Sequence, residues 1–411
     1  MINQGNDCGD GVSRRAFLGA VGVGGALTLE DALGLQAAQE APTPALVVRA
    51  RPFIYTGTGP GRGTPPPHSL TGEDLVAARL TPESWRLEIV PDGCDVERPR
   101  TLSNGNAIDF RTLLDLGRTH GIKFLKAMQC RSGPNPQSHG LWEGVPLREV
   151  LRLAGKIDKV MRVYANGFHN NDPRQIFQSS ASFTQVLDNA PGELPVMVAY
   201  RHNGGPIPLL RGGPVRMILP WGYGFKNTKW LQRIRLTANT HPIDTYGGEP
   251  DAYLKTQVPQ IDAPANANAG APIILRGVAV VGMPGLKRVE YWVRPDTGTN
   301  GELAADDPAW QAATWRPGTI DPPPDDWTGH LPVGVSPREI WGFDSRTGRP
   351  KDWPLRYTVA TWSVTLRDLK PGAYEVRVRS VDLNGFAQPQ PRPQQATGRA
   401  SVPCRIITVR A

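Results

Sequence analysis

A single cysteine, Cys130, stands where an apolar run gives way to a polar one. Residues 123–129 are typical of a β-strand, and the Gly-, Pro- and Asn-rich stretch that follows predicts a loop, with a helix beginning near Leu147. A thiolate presented at the end of a strand is a frequent arrangement for a reactive or metal-binding cysteine. Cys130 is therefore the first candidate for chemistry in this chain.

The other cysteines form no recognisable metal-binding pattern. Without Cys8, which lies in the leader described next, three cysteines are left, at positions 94, 130 and 404. An odd number means that at least one stays unpaired in an oxidising compartment. No pair has zinc-finger spacing, and no Cys-x-x-Cys-His motif predicts a haem attached to this chain.

The N-terminus resembles a twin-arginine export signal. Arg14 and Arg15 precede an apolar, Gly- and Ala-rich run over 19–29, and small residues follow near Ala41. We expect residues 1–41 to be a signal and the protein to be periplasmic or otherwise exported. This pathway carries folded proteins, often with a cofactor inserted, so it favours a cofactor-containing protein.

The composition predicts an α+β protein of two domains. Glycine (45) and proline (41) are abundant in the 411 residues, and amphipathic helical patterns are few. A Pro/Ala-rich break near 257–265 divides a mixed domain, 42–260, from a second domain, 261–411. Strand patterns in the first domain lie at 85–90, 194–203, 214–219 and 230–236, with a helix at 147–154 and a strand or short helix at 109–120.

The second domain has an almost purely β pattern. Its predicted strands are 273–281, 286–293, 357–366, 373–382 and 404–409, which suggests an immunoglobulin-like sandwich. The Pro- and Gly-rich residues 295–354 predict a long insertion without regular structure.

Several ordered motifs together resemble the sulfite oxidase family of molybdenum-cofactor enzymes. They are Met128-Gln129-Cys130, Trp142-Glu143-Gly144-Val145-Pro146-Leu147, Ala199-Tyr200-Arg201-His202-Asn203-Gly204, Gly213-Pro214-Val215-Arg216-Met217-Ile218-Leu219-Pro220 and Lys229-Trp230-Leu231. In the second domain, the stretches 275–279 and 379–389 resemble that family's dimerisation domain. The resemblance implies a molybdopterin-binding domain followed by a sandwich through which two copies of the chain form a homodimer.

The resemblance implies a role for each matching residue at the cofactor. Molybdenum held by a pterin dithiolene is a soft centre that accepts one protein thiolate, which would be Cys130. Arg216 and Lys229 would lie beside the pterin or its phosphate, and Arg211 occupies the position of a pterin-adjacent histidine. The loop 222–228, with Lys226, could add backbone amides to an anion-binding nest.

The same resemblance gives candidates for the substrate pocket. Arg131 follows the metal ligand directly, and Arg399 lies roughly where the second domain of the family donates an arginine. A catalytic tyrosine would be Tyr246 or Tyr253, of which Tyr253 is preferred. Two arginines of sulfite-oxidising members are replaced here, one by Tyr55 or Thr56 and the other by Asn135.

We expect an oxidoreductase that oxidises sulfite or a related small anionic sulfur compound by oxygen-atom transfer. Electrons would pass to a separate cytochrome or a membrane electron-transfer subunit. One alternative is a periplasmic sulfoxide reductase, because residues 220–226 resemble the methionine-sulfoxide reductase catalytic subunit; another is a non-catalytic interaction protein. The formal net charge of +8 predicts attraction to anions or an acidic partner protein, whereas scattered arginines and export argue against nucleic acid.

Overall fold

Two separate sheets and a short strand pair make up the first half of the protein. The computed structural model describes residues 67–130, 136–168, 177–245, 253–298, 303, 307–388 and 402–411. The strands of the first half are β1 (Arg86–Asp92), β2 (Asp95–Val96), β3 (Ile108–Asp109), β4 (Ile122–Gln129), β5 (Pro136–Pro146), β6 (Ile157–Asp158), β7 (Arg162–Gly167), β8 (Gln178–Ser182), β9 (Met197–His202), β10 (Gly205–Pro206), β11 (Arg216–Ile218) and β12 (Leu231–Thr237). Among the described residues, this half mixes strands with short helices, as the sequence predicts.

The strands join in the orders β3-β1-β12-β7-β8 and β10-β9-β5-β4, with β11 on β9 and β2 on β6. A shared apolar core lies between them and includes Trp85, Ile89, Val198 and Ile234. Removal of such side chains from water is the main source of folding free energy. The apolar side chains of β1, β9 and β12 are therefore largely buried.

The helices of this half are short, and two of the four begin at a side chain that caps the first turn. They are α1 (Gly72–Ala77), α2 (Phe110–His120), α3 (Leu147–Leu151) and α4 (Phe183–Leu187). The Asp109 side chain accepts a hydrogen bond from the Thr112 amide at 2.8 Å, so the segment with an ambiguous pattern forms helix α2. Ser182 and Gln185 form a capping box at the start of α4.

The structure of residues 136–146, which precede helix α3, differs from the predicted loop. A helix was expected to follow the loop, but the eleven-residue strand β5 intervenes and pairs antiparallel with β4. The sequence did not predict this strand because β5 is buried on both faces from His139 to Trp142. Its residues therefore do not alternate between apolar and polar.

The second half contains two sheets around a common core. Its elements are β13 (Asn266–Asn268), β14 (Ile273–Val280), β15 (Arg288–Pro295), α5 (Ala309–Ala312), β16 (Arg316–Pro317), β17 (Thr319–Ile320), β18 (Val359–Leu366), β19 (Gly372–Val381) and β20 (Cys404–Arg410). The strand orders are β13-β20-β19-β15-β16 and β14-β18-β17. Leu275 and Trp362 of one sheet meet Val289, Val378 and Ile407 of the other in one buried cluster. An immunoglobulin-like topology stays a prediction.

The segment predicted as a linker is part of this second core. Val258 and Ile261 are buried in it, and Gln257 and Asp262 form bridges to Val280 and Arg276 of β14. The apolar side chains of Val258 and Ile261 within the Pro/Ala-rich stretch allow this packing. Among the described residues no helix is long and apolar enough to cross a membrane.

Residues of the predicted insertion pack against the strand that leads to Cys130. β4 is the edge strand of its sheet, and the Trp341 amide donates to the Lys123 carbonyl at 2.7 Å. Just beyond the insertion, the Tyr357 carbonyl accepts from the Ala127 amide, also at 2.7 Å. Where it is described, the insertion contains only short elements, as its composition predicts, yet it covers the free edge of β4.

Candidate cofactor site

Cys130 lies immediately after the last residue of β4. The ladder between β4 and β5 is irregular between Met128 and Gln129, where pairing ends. Gln129 is fully buried, and its side-chain amide donates to the Cys130 carbonyl at 2.9 Å. The backbone of the half-buried thiol is thus fixed at the strand end, as the sequence predicts.

Arg216 occupies the first position of β11, which pairs with β9. Its side chain is buried, with Nε donating to the Asn227 carbonyl at 3.0 Å and Nη1 to the Arg211 carbonyl at 2.9 Å. The guanidinium carbon lies 5.3 Å from the centre of the Trp142 ring. These contacts hold a buried cation in one orientation.

A 3-10 turn, Leu209–Arg211, links Arg216 to the Lys229-Trp230 motif. All three of its carbonyls accept side-chain donors: Leu209 from Trp230 Nε1 at 2.8 Å, Leu210 from Lys229 Nζ at 2.8 Å, and Arg211 from Arg216. Gly212 follows with φ of +96°, and a Cβ there would lie 2.6 Å from Lys229 Cβ. The turn and the two cations therefore form one rigid unit.

Arg216 and Lys229 lie close enough together to repel each other. Burial, then Arg211, lowers the pKa of Arg216 to about 9. Burial, then Arg216 and Arg211, lowers the pKa of Lys229 to about 7. In the described part of the chain, neither Arg216 nor Lys229 forms an ion pair with a carboxylate. An anionic ligand would relieve the repulsion and raise both pKa values.

Trp142 and His202 complete this region and were not identified as site residues from the sequence. They face each other in the β5–β9 register, with ring centres 4.3 Å apart. Burial, then Arg211 and Arg216, lowers the pKa of His202 to about 3, so its imidazole is neutral near pH 7. Trp142 Nε1 and His202 Nε2 are enclosed, with no hydrogen-bond partner among the described residues. Both residues lie in quoted motifs, but only the strand register pairs them.

Gly140 allows this close approach. A Cβ at position 140 would lie 2.5 Å from His202 Nε2 and 2.8 Å from the Asn203 side-chain oxygen. Any larger residue would have to displace the imidazole.

The donor set fits a molybdopterin. The group carries a dithiolene, a heterocycle with many hydrogen-bonding atoms and a phosphate, and it takes one thiolate from the protein. Within the described residues, Arg216 and Lys229 have no carboxylate partner and two enclosed ring nitrogens have no hydrogen-bond partner, and an anionic, polar ligand would satisfy all four groups. Cys130, Arg216, Lys229, Arg211, Trp142 and His202 are the residues that would hold it.

Lys226 is placed differently from the expectation. Its buried ammonium forms a 2.6 Å ion pair with Asp244, and Asp244 also accepts from Ser180 Oγ at 2.6 Å. The amides of Lys226 and Asn227 donate to carbonyls of the same loop. The charge and these amides are thus satisfied within the protein, and we do not assign Lys226 to an anion-binding nest.

The predicted substrate residues are largely beyond what the structure describes. Arg131, Arg399 and Tyr246 lie outside the described residues, so their roles stay predictions. Tyr253 is 39% exposed, and its hydroxyl accepts a hydrogen bond from Gln185 Nε2 at 2.9 Å. Its backbone bridges Gly222, which places it beside the 220–226 loop.

Residues 74–244 match the family model of the oxidoreductase molybdopterin binding domain. The match extends from α1 past β12 and includes every described residue of the cofactor site. Fold and site thus define a molybdopterin-dependent oxidoreductase domain. Its relatives make the assignment narrower: this domain is similar to that of the sulfite oxidase family of molybdenum-cofactor oxidoreductases.

Two relatives and one solved structure illustrate the similarity. Human mitochondrial sulfite oxidase is 26% identical over 211 residues, which is 48% of this chain and 37% of that protein. The protein-methionine-sulfoxide reductase catalytic subunit MsrP of Gluconobacter oxydans is 26% identical over 286 residues, 64% of this chain and 82% of that protein. The chain thus spans little more than a third of the mammalian relative.

The sulfane dehydrogenase SoxCD from Paracoccus pantotrophus has a similar fold. The TM-score is 0.53 at 17% sequence identity, and the alignment covers 84% of this chain and 85% of that one. The likeness therefore includes the second half of the chain as well as the cofactor domain.

Proposed function

We propose that this protein is an exported molybdenum-cofactor enzyme that oxidises sulfite or a related inorganic sulfur compound. The observation that carries the proposal is a pair of neighbouring cations, the buried Arg216 and the half-buried Lys229, next to two enclosed ring nitrogens and, within the described residues, without a carboxylate partner. Burial of such charges without a compensating anion is costly, and an anionic ligand would remove much of that cost. The sulfite oxidases among its relatives favour a sulfur compound as substrate.

Each residue of the site has a defined task in this proposal. When bound, the cofactor supplies a centre for two-electron oxygen-atom transfer. Cys130 donates the thiolate that anchors it, while Arg216 and Lys229 bind its anionic groups and exclude water from them. His202, neutral near pH 7, and Trp142 offer hydrogen bonds to the pterin. Arg131 and Arg399 would bind the anionic substrate, and Tyr253 would orient it or relay protons.

Other parts of the proposal concern partners and location. Electrons would leave one at a time to a separate cytochrome or membrane subunit, since no haem-attachment motif occurs in the sequence. The arginine pair at 14 and 15 supports export, and the resemblance of the second domain supports a homodimer.

A methionine-sulfoxide-like reductase is the second candidate. It is supported by the MsrP relative, whose alignment extends over a larger share of both chains than that of human sulfite oxidase. The replacement of two family arginines by Asn135 and by Tyr55 or Thr56 also favours a less anionic substrate. A non-catalytic interaction protein is disfavoured, because it would have no need for the buried cations.

Direct analysis of the protein after native export tests the proposal. Molybdenum and extracted pterin should each approach one per chain, and Cys130→Ser should lose the metal and all turnover. A fully matured protein without molybdenum, or a Cys130→Ser variant with normal turnover, would contradict the proposal.

Two assays then separate the substrates. The oxidase proposal expects sulfite-dependent reduction of a cytochrome, whereas the reductase expects oxidation of a reduced dye by methionine sulfoxide. Activity confined to the second assay would replace the first candidate by the second.

A further inference from the structure

Lys126 is a charged residue in the interior of the strand that leads to Cys130. Side chains alternate along a strand, so Lys126 points to the same face of β4 as Phe124 and Met128. Its side chain is fully buried. The ammonium donates to the Pro220 carbonyl at 2.6 Å and to the Gly222 carbonyl at 3.0 Å.

These two bonds join the metal-ligand strand to a distant loop. Pro220 and Gly222 lie more than ninety positions later in the chain, at the start of the loop that ends next to Asn227. Asn227 in turn offers its carbonyl to Arg216 and its side-chain oxygen to the Leu219 amide. Lys126 therefore connects Cys130's strand, through this loop, to the principal cation of the cofactor site.

The buried charge of Lys126 is energetically costly to the fold. Burial of an ammonium costs several kcal/mol by order of magnitude, and two neutral carbonyls offset it only in part. Within the described residues Lys126 forms no ion pair, and burial, then Arg216, lowers its pKa to about 7. A methionine of similar length would fill the space without this cost.

We infer that Lys126 is a positioning residue that fixes the 220–222 loop to the Cys130 strand and supplies a buried positive charge to the anionic cofactor. The inference rests on the proposed cofactor and assigns a role to a residue outside the family motifs quoted above. Its two parts, anchor and charge, make different predictions.

Three variants separate the two parts in the full-length, natively exported protein. Lys126→Met removes both donor and charge, and Lys126→Gln keeps a donor without the charge. Lys123→Met is the matched control, because Lys123 lies on the same strand, is partly exposed and pairs with Glu339 at 2.5 Å on the surface. The readouts are molybdenum and pterin per chain, the midpoint potential of the bound metal, and hydrogen exchange of residues 219–227.

The expected results differ between the variants. Lys126→Met should retain about one tenth of the wild-type amount of cofactor or less, because it loses hydrogen bonds made by a charged group. Lys126→Gln should recover part of the protection of 219–227 from exchange, yet give a more negative midpoint potential than the wild type, because the positive charge is gone. Lys123→Met should match the wild type in all three measurements.

The exchange experiment is repeated on protein made in a host without pterin synthesis. Faster exchange of 219–227 in cofactor-free Lys126→Met is expected, and unchanged exchange would overturn the anchor whatever the fate of the cofactor. An unchanged potential in Lys126→Gln would overturn the charge. Wild-type protein without molybdenum would instead refute the proposed function, while the anchor is still decided by the cofactor-free comparison. If Lys126→Met does not fold, Lys126→Gln carries both readouts.

Discussion

At the scale of single residues, two lysines three positions apart have opposite environments. Lys226 is paired with the buried Asp244, whereas Lys229 donates to a backbone carbonyl and lies near Arg216 and Arg211. Both are basic residues beside a strand, and the sequence gives no reason to predict different environments for their ammonium groups. The cation that lacks an acid is the one able to bind an anion, because its charge is not yet compensated.

The lowered pKa of Lys229 predicts how the stability of the cofactor-free protein depends on pH. The native pKa is about 7, below the ordinary value of 10.5. Between these values the unfolded chain binds a proton that the native protein does not, so stability rises with pH from about 7 toward 10. Below pH 7 both states are protonated and this destabilisation is fully present.

Calorimetric melting temperatures at pH 7, 8 and 9 would check this. The difference in melting temperature between Lys229→Met and the wild type should be largest at pH 7 and shrink as the pH rises. In protein loaded with the anionic cofactor, the wild type should lose this dependence. A difference that is constant over the pH range would contradict the assignment.

At the scale of elements, the described residues of the insertion pack against β4, the strand that leads to Cys130. Trp327, Leu331 and Phe343 pack with Leu125 of β4 and Leu141 of β5 in one buried cluster. The Trp327 and Phe343 rings are 4.9 Å apart in an edge-to-face arrangement. Proline and glycine prevent long helices or strands here, but they do not prevent burial of the aromatic side chains between them.

Trp327→Ala should therefore destabilise the protein by about 3–5 kcal/mol, the cost of a large buried cavity. Trp341→Ala is the control, because Trp341 lies in the same segment but is 37% exposed, and we expect a loss of about 1 kcal/mol. Urea unfolding measures both. Equal effects of the two substitutions would show that the segment is not part of the core.

A second feature at this scale is a group of ion pairs and cation–π contacts on strands β15 and β19. The buried Glu375 pairs with Arg294 at 2.7 Å and with Arg377, and the two arginines stack on Trp292 and Trp310. Glu375→Ala should cost about 3–5 kcal/mol, because buried guanidinium charge loses its acid.

The control for Glu375 is Asp115→Asn, which removes one side of an exposed pair with Arg118 and should change stability by under about 1 kcal/mol. Denaturant midpoints at a constant m-value would test both. A small effect of Glu375→Ala would mean that water replaces the carboxylate at this position.

At the scale of the whole molecule, the net charge of +8 affects the rate of association with a charged redox partner. Opposite charges accelerate association, and salt screens this attraction over about 10 Å at 0.1 M ionic strength. With an acidic cytochrome as acceptor, kcat/KM should fall steeply as salt is raised from about 10 to about 300 mM. Stopped-flow reduction of the cytochrome measures this dependence.

An uncharged dye as electron acceptor provides the control for ionic strength, and its rate should change little. A cytochrome rate that does not respond to salt would contradict electrostatic steering by the basic surface. The chemistry at the cofactor would not be affected by that outcome.

Much of the fold follows from local pattern. The predicted strands at 273–281, 357–366 and 404–409 agree with β14, β18 and β20 within a few residues, because alternation and turn residues are local signals. Strand β5 was missed, since a strand buried on both faces shows no alternation. The packed insertion was missed because aromatic side chains without a period give no local signal.

The sequence by itself determined that one thiol stands at the end of a strand and that basic residues recur in the motifs around it. Tertiary structure alone decided which of those bases face a common site. The β5–β9 register brings His202 to Trp142, and folding brings Asp244 to Lys226, whereas among the described residues Lys229 donates to a backbone carbonyl. The physical reason is that Coulomb and hydrogen-bond energies depend on distance in space, and sequence separation does not fix that distance.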